Sequence, residues 1–291
     1  MACPVGFVVL THNKPKQLVR LITTLNRMFE RPPIACHHDF TKCNLASEAF
    51  PKNVSFVHPH ISTGWARFSV VEAMLRAIQL LYELPNFPNW FILLSGADYP
   101  IKSAKRILDD LFTSKYDAHI EHQRIIYNNY ENAWQEACHK RYCSLNLHIP
   151  LINRVAKLRH PLLTRSFLPF SHDFGCFAGE FWFCGNVNAA KHLIEYHRTR
   201  PALAAHYRRS ERHHNIFPEE SYFQTILCNS PNLSVSQNNW RYIDWSSGPS
   251  YPKLLLLEDL PKLKNSSAHF ARKFDIDADD SIFSRLDDLL Y

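Results

Sequence analysis

Within its first hundred residues the chain alternates short apolar runs with segments of helical periodicity, and this alternation restricts the fold more than any other feature. Phe7-Val8-Val9-Leu10 reads as a buried strand, and Thr11-His12-Asn13-Lys14-Pro15 as the loop leaving its end. From about Lys16 to Phe29 the apolar residues Leu18, Val19, Leu21, Ile22 and Leu25 recur at helical spacing. Ile34-Ala35-Cys36-His37 and Val54-Ser55-Phe56-Val57 follow as strands, then a helix from Ser69 to Tyr82 that Ser69 is suited to cap. Trp90-Phe91-Ile92-Leu93-Leu94 is a continuous apolar run of the kind buried on both faces. Strand, helix, strand with short connections predicts an α/β fold built on a parallel sheet. Ligands of such sheets gather at the carboxyl ends of the strands. That rim would carry His12, Asn13, His37, His38 and Asp39, with Asp98 following the sharp turn at Gly96. A helix from Ser103 to Phe112 closes this half.

Of 291 residues 46% are apolar, ample for a core, so a disordered chain is excluded. The formal net charge of +6, with 17 histidines, suits an anionic ligand such as a nucleotide diphosphate. The basic residues are interspersed with acidic ones and carry no nucleic-acid-binding signature, so a nucleic-acid partner is not expected. The amino-terminal residues lack the charged and hydrophobic regions of a signal peptide, and no apolar run reaches membrane-spanning length. The expectation is an intracellular, cytoplasmic protein or a trimmed piece of a longer one. The eight cysteines contain no CxxC pair, so reduced thiols are expected and a zinc site is not.

The second half is less regular. Residues from about Tyr116 to Asp173 show no clean period, and Leu151 to Phe170 mixes Arg154, Lys157, Arg159 and Arg165 with apolar side chains. That stretch reads either as a basic amphipathic surface for peripheral contact with an anionic membrane, or as a lid or an ordinary helix with a solvated basic face. Phe174 to Gly185 is a dense aromatic strand pattern, in which Gly179 signals close approach by another backbone or a ligand. Trp182 within it reads as core or as a sugar platform. A helix follows from about Asn188 to His197. In Phe217-Pro218-Glu219-Glu220-Ser221-Tyr222-Phe223-Gln224-Thr225, Pro218 suits a first helical turn, and Tyr222, Phe223, Ile226 and Leu227 continue at helical spacing. Two acids in that turn either favour the helix terminus electrostatically or supply a general base at the rim of a cleft. Asn238 to Trp245 and His269 to Asp275 each set cations among aromatics and acids. Asp277 and Asp279 have metal-clamp spacing but are expected to lie in a solvated polar tail.

Taken in order, VVLTHN, CHHDF, GWARFSVVEAML, LLSGADYPIK, FAGEFWF, PEESYFQT, NNWRYIDW and FARKFD resemble the core-2/I-branching glycosyltransferase family, which includes protein O-xylosyltransferases and plant glucuronosyltransferases. The family often has Trp-Gly where this chain has Gly64-Trp65-Ala66. The resemblance implies a GT-A type fold, a mixed sheet with a Rossmann-like amino-terminal half and no Asp-x-Asp metal clamp. It implies one domain over 1–291, with a nucleotide-binding half at 1–115 and an acceptor-binding, catalytic half at 116–291.

It further implies an inverting, metal-independent transfer of sugar from a UDP-sugar donor to a glycan or lipid-linked glycan acceptor, with no cofactor. Glu220 falls on the family's base. His12, Asp39, Asp98, Tyr99, Arg241 and Lys273 are expected to bind the UDP-sugar, Arg241 and Lys273 forming the pair that stabilises the departing diphosphate, with Arg272 adjoining. Glu219, Trp182 and Trp245 are expected on the acceptor side. UDP-GlcNAc and a β1,6 linkage are the expected donor and product. A xylosyl- or glucuronosyltransferase and a non-catalytic glycan- or nucleotide-binding protein are the alternatives. The absence of an anchor suggests a bacterial member, cytoplasmic or at the inner membrane face.

Overall fold

A computed structural model describes residues 3–149, 154–164, 166–212, 215–248 and 251–291. The amino-terminal alternation folds as strand β1 (Cys3–Thr11), helix α1 (Pro15–Met28), β2 (Ile34–His38), β3 (Val54–Phe56), α2 (Phe68–Glu83), β4 (Pro88–Ser95), β5 (Tyr99–Pro100) and α3 (Ala104–Phe112). Pro15 opens α1 because its fixed φ suits the first turn and the missing N–H costs nothing there. Ser69 does not cap α2. The helix starts one residue earlier, Ser69 Oγ accepts from the Gly64 N–H at 3.0 Å, and the Phe68 N–H is met by the Glu211 carboxylate at 2.5 Å. A distant acid thus fills the orphan-donor role that sequence assigned to a neighbouring serine.

Next come β6 (Ala118–His119), β7 (Gln123–Ile125), α4 (Ala133–Tyr142), β8 (Leu145–Ile149), β9 (Arg154–Leu158) and α5 (Pro161–Thr164). The described part of the basic stretch is therefore a strand and a four-residue helix, not one amphipathic helix; Leu151 to Asn153 and Arg165 lie outside the described residues. The aromatic run from Phe174 is likewise divided, into β10 (Cys176–Ala178) and β11 (Cys184–Asn186), which join different sheets. The remaining elements are α6 (Val187–Thr199), α7 (Pro201–Ser210), α8 (Tyr222–Cys228), β12 (Val235–Ser236), β13 (Arg241–Ile243), α9 (Leu260–Asn265), β14 (Phe270–Arg272) and α10 (Ser281–Leu290). Asp277 is solvated as expected, its side chain 75% exposed, but the segment is not a tail. It leads into α10, which buries Ile282, Phe283, Leu286 and Leu290, with Asp279 accepting from the Ser281 and Leu257 N–H groups.

Seven strands form the main sheet in the order β12-β6-β11-β4-β1-β2-β3. β1, β2, β3 and β4 run parallel, and β11 lies antiparallel between β4 and β6. Alternation along the strands divides the core. Val8, Phe91 and Leu93 face α2, α6 and α8, whereas Phe7, Val9, Ile92 and Leu94 face α1, α3 and α10. Both faces are covered, so the central strands read as unbroken apolar runs. A smaller sheet, β13-β14-β5, packs into the second core.

Candidate active site

The carboxyl ends of β1, β2 and β4 border a cleft of about 440 Å³. Buried Gln17 fixes what closes it. Its Nε2 donates to the Gly96 and Phe274 carbonyls at 2.9 and 3.1 Å, and its Oε1 accepts from the Ile276 N–H at 2.9 Å. The Phe274 N–H donates to Ala97 O at 2.9 Å, so the segment after β14 is stitched to the loop after β4. This brings Arg272 and Lys273 to the cleft beside His12 and Lys42. Three cations so gathered make a site for a polyanion such as a diphosphate. Burial and the nearby Lys42 lower the His12 pKa, which keeps the imidazole neutral near pH 7.

Four sequence expectations change here. Asp39 is fully buried and its oxygens are occupied. Oδ1 accepts from Thr41 N–H and Oγ1 at 3.1 and 2.6 Å, Oδ2 from Thr63 N–H and Oγ1 at 2.7 and 2.8 Å. Burial alone would raise its pKa, but these hydrogen bonds outweigh it and hold the group ionised. It shapes the loop under the cleft and presents no free oxygen to a nucleotide. Asp98 is also fully buried, accepting from Ser95 and standing 3.4 Å from Arg272 Nε. It orients the arginine and does not line the cleft itself. Tyr99 points the other way: its hydroxyl meets Thr24 and Asp287, each at 2.7 Å, among core aromatics. Arg241 spends its guanidinium on the backbone carbonyls of Asn239 and Leu93, at 3.1 and 3.0 Å, which ties β13 to β4. The cationic pair lining the cleft is Arg272 with Lys273.

The paired acids sit on a tight turn. Phe217, at φ 48, turns the chain into a 3₁₀ turn over Pro218–Glu220, and the Gly179 N–H donates to Glu220 O at 2.9 Å. A Cβ on Gly179 would stand 2.1 Å from the Glu121 carbonyl oxygen, so the close approach expected of this glycine is real, although it lies just past β10. Ser221 Oγ donates to Phe177 O at 2.7 Å and the Tyr207 hydroxyl lies 2.6 Å from it, locking the turn from beneath. Burial raises Glu220 to about 7, moderated by Arg141, whose Nη1 is 3.6 Å from Oε2. Glu219 is buried more deeply, with 6% exposure, and burial with the neighbouring Glu220 raises it to about 8.

A second cavity of about 720 Å³ adjoins the cleft. Trp65, Trp134, Trp245 and Tyr251 border it with Glu121, Glu180 and Arg141. Glu220 borders both spaces, as do Trp65, Phe217 and Tyr251. Trp245 therefore borders the second cavity. Trp182 and Glu219 border the first cleft instead, and the Trp182 ring, 3% exposed, has Arg272 Cζ 4.6 Å from its centroid and the Phe181 ring centroid 4.2 Å away. That leaves little ring face for sugar stacking. Sequence reasoning missed Lys42, Arg141, Trp134 and Glu180; for Glu180 the signal was a carboxylate inside an aromatic run. Among the described residues no three His, Cys, Asp or Glu side chains converge as a metal ion would need, and no helix is long and apolar enough to cross a membrane.

A mixed α/β sheet whose strand ends open into a cationic cleft, with the Glu220 carboxyl between that cleft and an aromatic cavity, defines a two-chambered site. The description of the core-2/I-branching enzyme family matches residues 7–263, and the chain belongs to that family. It is 24% identical over 210 residues to beta-glucuronosyltransferase GlcAT14B of Arabidopsis thaliana, covering 71% of this chain and 45% of that protein. Over 261 residues it is 24% identical to xylosyltransferase 1 of Rattus norvegicus, covering 82% of this chain and 29% of that protein. The chain thus spans less than half the length of these curated relatives. Among solved structures, the galactosyltransferase LgtC in complex with donor and acceptor sugar analogs aligns with a TM-score of 0.41 at 8% identity, covering 98% of this chain and 96% of that one.

Proposed function

We propose that this chain is an inverting glycosyltransferase of GT-A type that moves a sugar from a UDP-sugar, UDP-GlcNAc in the first instance, to a hydroxyl of a glycan acceptor, forming a β1,6 linkage without a divalent metal. The observation that carries the reading is the position of Glu220, the one carboxyl group that borders both chambers among the described residues. A donor in the cationic cleft and an acceptor in the aromatic cavity would meet at this side chain. Its carboxylate takes the acceptor proton as that oxygen bonds to the anomeric carbon; the bond from that carbon to the β-phosphate oxygen breaks, and its electron pair leaves with UDP. A pKa near 7 suits a base that works at neutral pH. Arg272 and Lys273 oppose the charge growing on the diphosphate, a fixed guanidinium and a point charge doing electrostatically what a metal does elsewhere. The family relationship supports the same assignment of chemistry, with xylose and glucuronate as the alternative sugars.

Thermal stabilisation by UDP and UDP-GlcNAc, unchanged by EDTA or manganese, tests donor binding without a metal. Glu220→Gln is expected to keep UDP affinity and to lower turnover by about 10²- to 10⁴-fold, the usual contribution of a general base. Turnover at the original rate would remove Glu220 from the mechanism.

A further inference from the structure

Three residues on the wall of the donor cleft carry a buried polar atom with no hydrogen-bond partner among the described residues; Arg272 Nε has the Asp98 carboxylate 3.4 Å away, which leaves Glu219 Oε2 and Trp182 Nε1 as the two with no ion-pair partner either. Their side chains are 6% and 3% exposed. Buried donors and acceptors are normally satisfied, so two orphans on one cavity wall mark where a ligand supplies the missing partners. The cleft is also electrically divided. His12 lies in the field of Lys42 and Lys273, partly offset by the buried Asp39, whereas Glu219 lies in that of Glu220 and Glu211. Diphosphate belongs with the cations, which leaves the sugar ring beside Glu219 and Trp182.

Resting on the donor reading above, we propose that Glu219 and the Trp182 indole N–H are the donor-specificity residues: they hydrogen-bond the hydroxyl or amide groups of an uncharged pyranose and reject a donor whose sugar bears a carboxylate. A neutral sugar offers a hydroxyl or N–H to the Glu219 oxygen and an acceptor oxygen to the indole. A uronate would bring a carboxylate, stripped of water, beside Glu220, which must be ionised to act as base, while burial keeps Glu219 protonated and uncharged. Arg272, which covers Trp182 and pairs with Asp98, is engaged by the diphosphate and is not free to neutralise it. A desolvated carboxylate with no free cation and a like-charged neighbour opposes binding strongly, whereas each hydrogen bond gained is worth about tenfold or less.

The test is calorimetric titration of UDP, UDP-GlcNAc, UDP-xylose and UDP-glucuronate, without acceptor, into the unaltered protein and into Glu219→Gln, Glu219→Ala and Trp182→Phe. The unaltered protein is expected to bind one or both neutral-sugar nucleotides at least tenfold more tightly than UDP-glucuronate. Glu219→Ala and Trp182→Phe should each weaken the preferred neutral donor about tenfold and leave UDP within twofold. Glu219→Gln, uncharged like the protonated carboxyl it replaces, should keep the order of donors and hold the gap to UDP-glucuronate within about threefold. Preference for UDP-glucuronate in the unaltered protein, or equal losses for UDP and its sugars in the variants, overturns this proposal alone. No binding of UDP by the unaltered protein overturns the donor reading and this proposal with it.

Discussion

Replacing Glu219 by glutamine isolates the cost of holding an ionisable carboxyl in the interior, because the shape is kept and only the ability to lose a proton is removed. The side chain is 6% exposed and its Oε2 is unpartnered, so the charged form is poorly solvated. Its pKa rises from an ordinary 4.5 to about 8. Between those values the folded protein keeps a proton that the unfolded chain has released, so stability falls as pH rises and this loss is complete above the folded value. At about 1.4 kcal/mol per pH unit the ceiling is roughly 5 kcal/mol, and relaxation and water entry bring the expected penalty to about 2–3 kcal/mol. Glu220 titrates in both proteins and cancels to first order. Urea unfolding at pH 5, 6, 7, 8 and 9 should show nearly equal stabilities at pH 5 and a growing advantage for Glu219→Gln up to pH 8, with unchanged denaturant dependence. A gap that stays constant within about 0.5 kcal/mol across this range would refute the claim that Glu219 is held protonated by burial.

Arg272→Ala and Arg241→Ala separate the two roles sequence had merged. The first should weaken UDP binding by about tenfold or more and also lower the melting temperature, because it leaves the buried Asp98 without its cation; the second should leave the cleft cations in place and UDP binding within about twofold, but cost about 2–4 kcal/mol of stability by removing the guanidinium that bridges the carbonyls of Asn239 and Leu93. The opposite pattern in titration would reverse the assignment. Gly179→Ala should cost several kcal/mol and lower turnover with it, because the added carbon meets a backbone oxygen and pushes against the hydrogen bond that seats Glu220. A stable, fully active variant would show that this contact does not position the base.

The parallel strands and the helices between them were legible because β1 and β4 are buried on both faces, so their centres are unbroken apolar runs with little else to mean, and β2 begins as one before His37 and His38. The paired acids were legible for a different reason, a proline-opened turn ahead of a helical apolar pattern. What escaped was direction. Asp98 and Tyr99 are adjacent, yet one turns under Arg272 and the other into the Thr24 and Asp287 pocket, a difference set by packing partners nearly two hundred residues away. Arg241 and Arg272 both stand in short strands among aromatics, and only the pairing of β13 with β14 reveals which guanidinium is consumed by carbonyls. The aromatic run from Phe174 looked like one strand because periodicity does not register that Gly179 lets the chain leave one sheet and reach another.

Gln17 joins material from the two ends of the chain, and this carries a consequence for biosynthesis. The cationic cleft takes His12 and Lys42 from residues made early and Arg272 and Lys273 from residues made much later. A nascent chain with only the amino-terminal strands outside the ribosome has its parallel sheet but neither the cationic wall nor helix α10 to cover the face carrying Phe7 and Val9. Until α10 emerges, that face is exposed to chaperones or to neighbouring chains, and a ligand of the cleft cannot serve as a folding aid. The cleft gathers its cations only after residue 273 has left the ribosome.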